Sequence, residues 1–237
     1  FNYTVTTGHN SSDLDYTNTS ALALNGGTIK DAGGNSATLT LATPGASNSL
    51  GANKSLIIDT TPSQVTSVAS TTPDATYKVG DVIQITVNFD ETVTVSGTPQ
   101  LTLETGATDA VIDNVSGTGS SALIFNYTVA SGHSSSDLDY ISTSAFALNG
   151  GSIKDLAGND AVLTLPSPGA ANSLGANEAL IIDGILPSFS SITPVASSIV
   201  NHTKVSYTLS EQALAGTITW TRSNGPDDPG SPHTQAL

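Results

Sequence analysis

Apolar and polar side chains alternate along most of this chain. Phe1, Tyr3 and Val5 alternate with Asn2 and Thr4, a period of two that predicts a strand with one buried face. The same reading predicts strands over 21–24, 28–30, 37–41 and 55–58. In the middle of the chain it predicts them over 65–69, 82–89, 100–103, 110–115, 122–129, 145–148, around 153, over 161–165 and over 179–182. Clusters of Gly, Pro, Asn, Asp and Ser separate these runs, and no window carries a 3.6-residue period. Short strands at this spacing in about 120 residues predict an all-β, two-sheet Greek-key sandwich.

The pattern occurs twice. Thr28-Ile29-Lys30-Asp31-Ala32-Gly33-Gly34-Asn35 and Leu56-Ile57-Ile58-Asp59 return as Ser152-Ile153-Lys154-Asp155-Leu156-Ala157-Gly158-Asn159 and Leu180-Ile181-Ile182-Asp183. The offset is 124 residues, and about 43 of the 59 positions in 1–59 are identical in 125–183, the mark of a repeat array. That period matches a self-sufficient domain of about 100–150 residues rather than a solenoid unit. The expected organisation is the C-terminal half of one domain at 1–59, a complete domain at 60–183 and the N-terminal part of a divergent third at 184–237. Asp59-Thr60-Thr61-Pro62-Ser63 joins the first two. Pro62 fixes its own φ and keeps its neighbour extended, so a stiff connection is expected. Gly184-Ile185-Leu186-Pro187 is a degenerate version of it. In the third unit, Lys204-Val205-Ser206-Tyr207-Thr208-Leu209-Ser210-Glu211 matches the strand before Asp90-Glu91, and beyond it lie Trp220, Arg222 and a loop carrying Asp227 and Asp228.

Charge narrows the function. Six Lys and Arg against twenty Asp and Glu give a net charge of −14, and such a surface repels nucleic acid, whose binding depends on Lys and Arg neutralising phosphates. The absence of cysteine removes disulfides, thiolate catalysis and thiolate metal sites. No apolar run approaches the roughly 20 residues of a membrane span. What remains is a folded acidic protein whose carboxylates attract divalent cations.

The linker Asp-Thr-Thr-Pro, the strand ending in Phe89-Asp90-Glu91-Thr92-Val93, Asp155-Leu156-Ala157-Gly158-Asn159 and the closing Leu180-Ile181-Ile182-Asp183 together resemble the tandem bacterial Ig-like, cadherin-like repeats of large secreted adhesins and surface proteins. The resemblance covers essentially the whole chain. It implies tandem Ig-like sandwiches, one complete and two partial, in an extracellular or cell-surface stalk stiffened by Ca²⁺ between domains.

In a Greek-key sandwich the loops cluster at two ends. Strand counting puts the acidic turn Asp90-Glu91 and the turn Asp155 to Asn159 at the end that Asp59 reaches from the linker. Ca²⁺ takes six to eight oxygen ligands, from carboxylates, Asn and backbone carbonyls, and these residues offer such a set. The next junction would draw on Asp183 and Glu211. Asp31 and Asn35 hold the corresponding places in the first repeat. The alternative is an Asx-type turn at Asp155 and Asn159, with Glu91 a solvated charge. Asp137-Leu138-Asp139-Tyr140, like Asp13-Leu14-Asp15-Tyr16, reads either as a second cation site or as a tyrosine corner with capping aspartates. His9 and His133, in Gly-His-x-Ser-Ser, lack the constellation a Ser-His-Asp hydrolase needs. Sequons at Asn2, Asn10, Asn18, Asn53, Asn114, Asn126 and Asn201 follow from an Asn-, Ser- and Thr-rich composition.

The leading expectation is therefore a non-catalytic spacer whose partners are neighbouring repeats or further copies of the chain, with any cell-surface or glycan ligand bound by parts not present here. Two others stand beside it. Unpaired edges of the partial domains could be completed by strand addition between copies, giving a filament, or the chain could link modules of a secreted enzyme.

Overall fold

In the computed structural model, strand accounts for 37% of residues and helix for 4%, which makes the protein all-β. The structure describes every residue except 194, 196–197, 199–204, 213–216, 221–231 and 237, so Arg222, Asp227 and Asp228 lie outside the described residues. Two units are distinguished, Phe1–Asp183 and Gly184–Leu237.

The second repeat holds the core. Its elements are β1 (Val65–Ser70), β2 (Ala75–Lys78), β3 (Val82–Ser96), β4 (Gln100–Leu103), β5 (Ala110–Ser116), β6 (Ser120–Thr128), β7 (Ser134–Ser135), β8 (Phe146–Ala147) and β9 (Ser152–Asp155). A one-turn helix, Leu174–Asn177, then precedes β10 (Leu180–Asp183). The larger sheet has the order β1-β3-β6-β5-β4-β8, with β9 also paired to β3, and a smaller sheet has the order β2-β10-β7. Pairing in the larger sheet is antiparallel, and β10 runs parallel to β2. On β3 the period of two is read out directly. Ile83, Ile85, Val87, Phe89 and Val93 are all buried, and they pack with Leu101, Leu103, Leu123, Phe125, Tyr127 and Tyr140.

Strand β3 departs from the expected pattern in one decisive respect. Asp90 and Glu91 are not a turn at its end. They lie inside a 15-residue strand, at the irregularity between Asn88 and Val93 where pairing with β6 breaks and β3 takes β9 as its partner. A bulge of this kind bends a strand and re-aims its side chains. The expected strand over 161–165 is reduced to one isolated bridge, Gln64 with Val162, with another, Lys154 with Asp160, just ahead of it.

The first repeat has the same local chemistry without the sheet. Its described regular element is a helix at Leu50–Asn53 capped by Ser49, matching the helix capped by Ser173. Asn25 and Asn149 adopt positive φ, 44° and 48°, each ahead of a glycine, and the Tyr16 hydroxyl donates to the Ala42 carbonyl at 2.6 Å as Tyr140 does to Pro166 at 2.6 Å. The strands expected over 21–24, 37–41 and 55–58 are instead irregular chain with isolated bridges such as Ser11 to Ile58. The physical reason is a missing partner. Phe125 to Thr128 pair with Val82 to Ile85; among the described residues none pairs in this way with Phe1 to Thr4, and Phe1, Tyr3 and Val5 are exposed.

The second of the two units, Gly184–Leu237, contains β11 (Phe189–Thr193) paired with β12 (Ser206–Leu209), and β13 (Thr217–Trp220) paired with β14 (His233–Ala236). Among the described residues no helix is long and apolar enough to cross a membrane.

Candidate metal centre at the junction of the repeats

Side chains on successive strand positions point to opposite faces, and this separates Asp90 from Glu91. Asp90 turns to Gln64, just ahead of β1, where its Oδ1 accepts from the Gln64 N–H at 2.8 Å while its own N–H donates to the Gln64 carbonyl at 3.0 Å. Glu91 is left to face the junction. Two residues on, Val93 sits opposite Asp155, the last residue of β9, so the long strand and its late partner deliver two carboxyl groups to one place. Asp59, the last residue of the first repeat, supplies the third. One oxygen from each of Asp59, Glu91 and Asp155 lies within 4.8 Å of the others. Three oxygens no more than 4.8 Å apart always share a point within about 2.8 Å of each, close to the 2.3–2.6 Å of Ca²⁺–oxygen bonds.

Asp155 is buried, with 2% of its surface exposed. The Asn159 backbone N–H donates to its Oδ1 at 2.9 Å and the Asn159 amide Nδ2 to its Oδ2 at 2.8 Å, an Asx-type turn in which Gly158 takes φ +95°. The same Nδ2 donates to the Asp59 carbonyl at 3.2 Å. As placed, Asn159 acts through its nitrogens and ties Asp155 to the linker. Glu91 feels the crowding. Desolvation, and then the charges of Asp155, Asp59 and Asp90, raise its carboxyl above the usual glutamate value of 4.5. Neither of the ion pairs among the described residues, Lys78–Asp81 and Lys154–Asp160, involves any of the three carboxylates. An open crevice of about 490 Å³, lined by residues that include Ile57, Asp59, Thr60, Ala157 and Asn159, lies beside them and gives solvent access.

The other expected ligands are distributed over the chain. Asp31 and Asn35 form the same turn in the first repeat, with the Asn35 N–H and Nδ2 donating to the Asp31 carboxylate at 2.8 and 2.9 Å. Those two bonds, the side-chain one first, hold the Asp31 pKa below its usual 3.8. Asp183 closes β10, and Glu211 follows β12. The Ser210 N–H donates to the Ser188 carbonyl at 2.9 Å and the Ser188 N–H to the Ser210 hydroxyl at 2.9 Å. This is the Asp90–Gln64 arrangement with serine in place of aspartate, and Glu211 follows it by one residue as Glu91 follows Asp90, in a bend rather than in a strand.

Asp139 caps a corner. It accepts from the Tyr140 and Gly169 N–H groups at 2.9 Å each, and Tyr140 is buried with its hydroxyl on the Pro166 carbonyl, as in a tyrosine corner. Asp137, beside it, has its pKa raised by desolvation and then by Asp139 and Asp74. His133 stacks on Tyr127, with a 2.9 Å hydrogen bond between its Nδ1 and the Tyr127 hydroxyl, and burial pushes that phenol up to about 12. His9 and Tyr3 repeat the arrangement at 2.7 Å.

Sequence reasoning left Asn10 as a sequon and nothing more, yet it holds the linker through three atoms. The signal was present inside the chain. Asn10, Thr60 and Thr61 become Ser134, Gly184 and Ile185 in the next repeat, so the residues that touch one another also change together. No family model, curated protein or solved structure matches the chain.

Proposed function

We propose that the chain is a non-catalytic spacer from an extracellular or cell-surface protein, built of tandem Ig-like Greek-key units and stiffened by a Ca²⁺ ion held between Asp59, Glu91 and Asp155. The observation that carries this reading is the convergence of three carboxylates from three separate stretches, one of them buried, at the place where the first two repeats meet. Carboxylates in such a group repel one another unless a proton or a cation intervenes. A hard divalent cation fits oxygen donors alone, and backbone carbonyls and water complete its shell. Extracellular Ca²⁺ modules work with Kd of about 10⁻⁴–10⁻³ M, which suits a site this open.

Thermal melting in Ca²⁺ and in chelator tests the reading. At 100 times Kd a ligand specific to the folded state adds about 2.7 kcal/mol, or roughly 5–10 °C for a chain of this size. Glu91→Gln should abolish that rise. Acid should imitate the cation. Because folding raises the Glu91 pKa above 4.5, its protonated form favours the folded state. The metal-free protein should gain stability as pH falls from 7 through the raised Glu91 pKa toward 4.5, and Asp137 adds a contribution of the same sign. Asp15, Asp31 and Asp81, whose pKa values are lowered from 3.8, act in the opposite sense only below that window. Equal melting curves with Ca²⁺ and with chelator would remove the cation from the proposal.

A further inference from the structure

We propose that the joint between the first two repeats carries a lock of its own, in which Asn10 is the positioning residue and which fixes the linker before any ion binds. Asn10 Oδ1 accepts from the Thr60 N–H at 2.8 Å, and its Nδ2 donates to the Thr61 hydroxyl at 2.9 Å. The Gly8 N–H donates to the Thr60 hydroxyl at 2.9 Å, and the adjacent Ser11 exchanges backbone hydrogen bonds with Ile58 at 2.8 and 2.9 Å. From the second repeat, Asn159 Nδ2 holds the Asp59 carbonyl at 3.2 Å, the Val162 N–H donates to the Ser63 carbonyl at 2.8 Å, and Asp90 takes the Gln64 N–H. Thr61 is further tied to Asp59, whose Oδ1 accepts its N–H at 2.9 Å.

From Asp59 to Gln64, then, every residue but Pro62 has a backbone or side-chain atom held, and the ring of Pro62 fixes its φ without help. A linker free to swivel leaves its polar groups to water. This one has them claimed from both sides, so changing the angle between the repeats means breaking several hydrogen bonds together. The two amides divide the work, with Asn10 binding the linker to the repeat it leaves and Asn159 binding it to the repeat it enters. The following repeat, with Ser134, Gly184 and Ile185 at these places, has neither the amide nor the two hydroxyls. The inference rests on reading the chain as a spacer whose joint must keep an angle, and does not need the cation.

The chain has no cysteine, so spin labels placed at the exposed Thr38 and Ala107 by Thr38→Cys and Ala107→Cys report one distance across the joint. In chelator the otherwise unchanged chain should give a single narrow distance distribution, and Ca²⁺ should leave its width unchanged. Asn10→Ala should at least double the width in chelator while the melting temperature of the second repeat holds. Thr61→Val should broaden the distribution less. Asn10→Asp, which keeps the acceptor for the Thr60 N–H and lets the Thr61 hydroxyl turn to donate, should restore most of the narrowness. If Asn10→Ala and Thr61→Val both leave the distribution narrow, the lock is refuted. A distribution that is broad in chelator and narrow only with Ca²⁺ also refutes it, and at the same time strengthens the cation reading. Broadening by Asn10→Ala with no response to Ca²⁺ in any variant upholds the lock while the cation reading fails.

Discussion

Phe125→Ala should destabilise the second repeat by about 3–5 kcal/mol, whereas Phe1→Ala should change stability by less than about 0.5 kcal/mol. The two residues open the same five-residue sequence, Phe-Asn-Tyr-Thr-Val. Phe125 is fully buried, pairs with Ile85 across the sheet and meets Phe146 edge-on at 5.8 Å between ring centroids. Truncating it removes its transfer free energy and leaves a cavity that neighbours fixed in a sheet fill only in part. Phe1 is wholly exposed, so alanine there removes nothing that was packed. Urea melts of the two variants measure the difference directly. Comparable losses would mean that the first repeat buries its Phe-Asn-Tyr-Thr-Val segment in solution.

The second large effect belongs to Asp155. Asp155→Ala strips the acceptor from the backbone N–H of half-buried Asn159 and one of the two acceptors from its Nδ2, which keeps the Asp59 carbonyl, and a buried donor left without a partner costs about 1–3 kcal/mol. One orphaned donor and one weakened one, offset by the repulsion that Glu91 no longer feels, set the expected loss at about 1–3 kcal/mol in chelator. In Ca²⁺ the gap from the parent chain should widen, because the variant has also lost the cation. Asp155→Asn keeps one good acceptor and should lose about half as much in chelator while still failing to respond to Ca²⁺. Chemical denaturation under both conditions checks the pair. An Asp155→Asn variant that responds to Ca²⁺ as fully as the parent would take Asp155 out of the site.

Much of this was legible in the residues because local rules act locally. The alternation in Val82 to Phe89 gives the core strand, Tyr140 makes its corner bond, and Asp59, Glu91 and Asp155 do come together. What was hidden needed partners distant in sequence. Alternation around 21–24 and 37–41 reads as strand, yet a strand exists only where another pairs with it, and among the described residues nothing pairs with these segments as β6 pairs with β3. Asp90-Glu91 reads as a turn because charged residues interrupt an apolar alternation. A bulge interrupts it in the same way, and only the pairing of Val93 with Asp155 shows that the strand continues. The parallel partnership of β10 with β2 was hidden because no strand is predicted over the four residues of β2, Ala75–Lys78. Asn10 was missed because an amide in a Ser-rich loop has no distinctive chemistry until Thr60 and Thr61 are set beside it.

The central claim is that one cation is shared across the joint, with a ligand from each side, and Asp59 is the ligand that belongs to the linker. Calorimetric titration of the chain with Ca²⁺, beside its Asp59→Asn variant, tests this most directly. Saturable binding at the joint should weaken at least tenfold when Asp59 loses its charge. Binding of unchanged affinity in the variant, or no heat of binding in the parent chain at millimolar Ca²⁺, would contradict it.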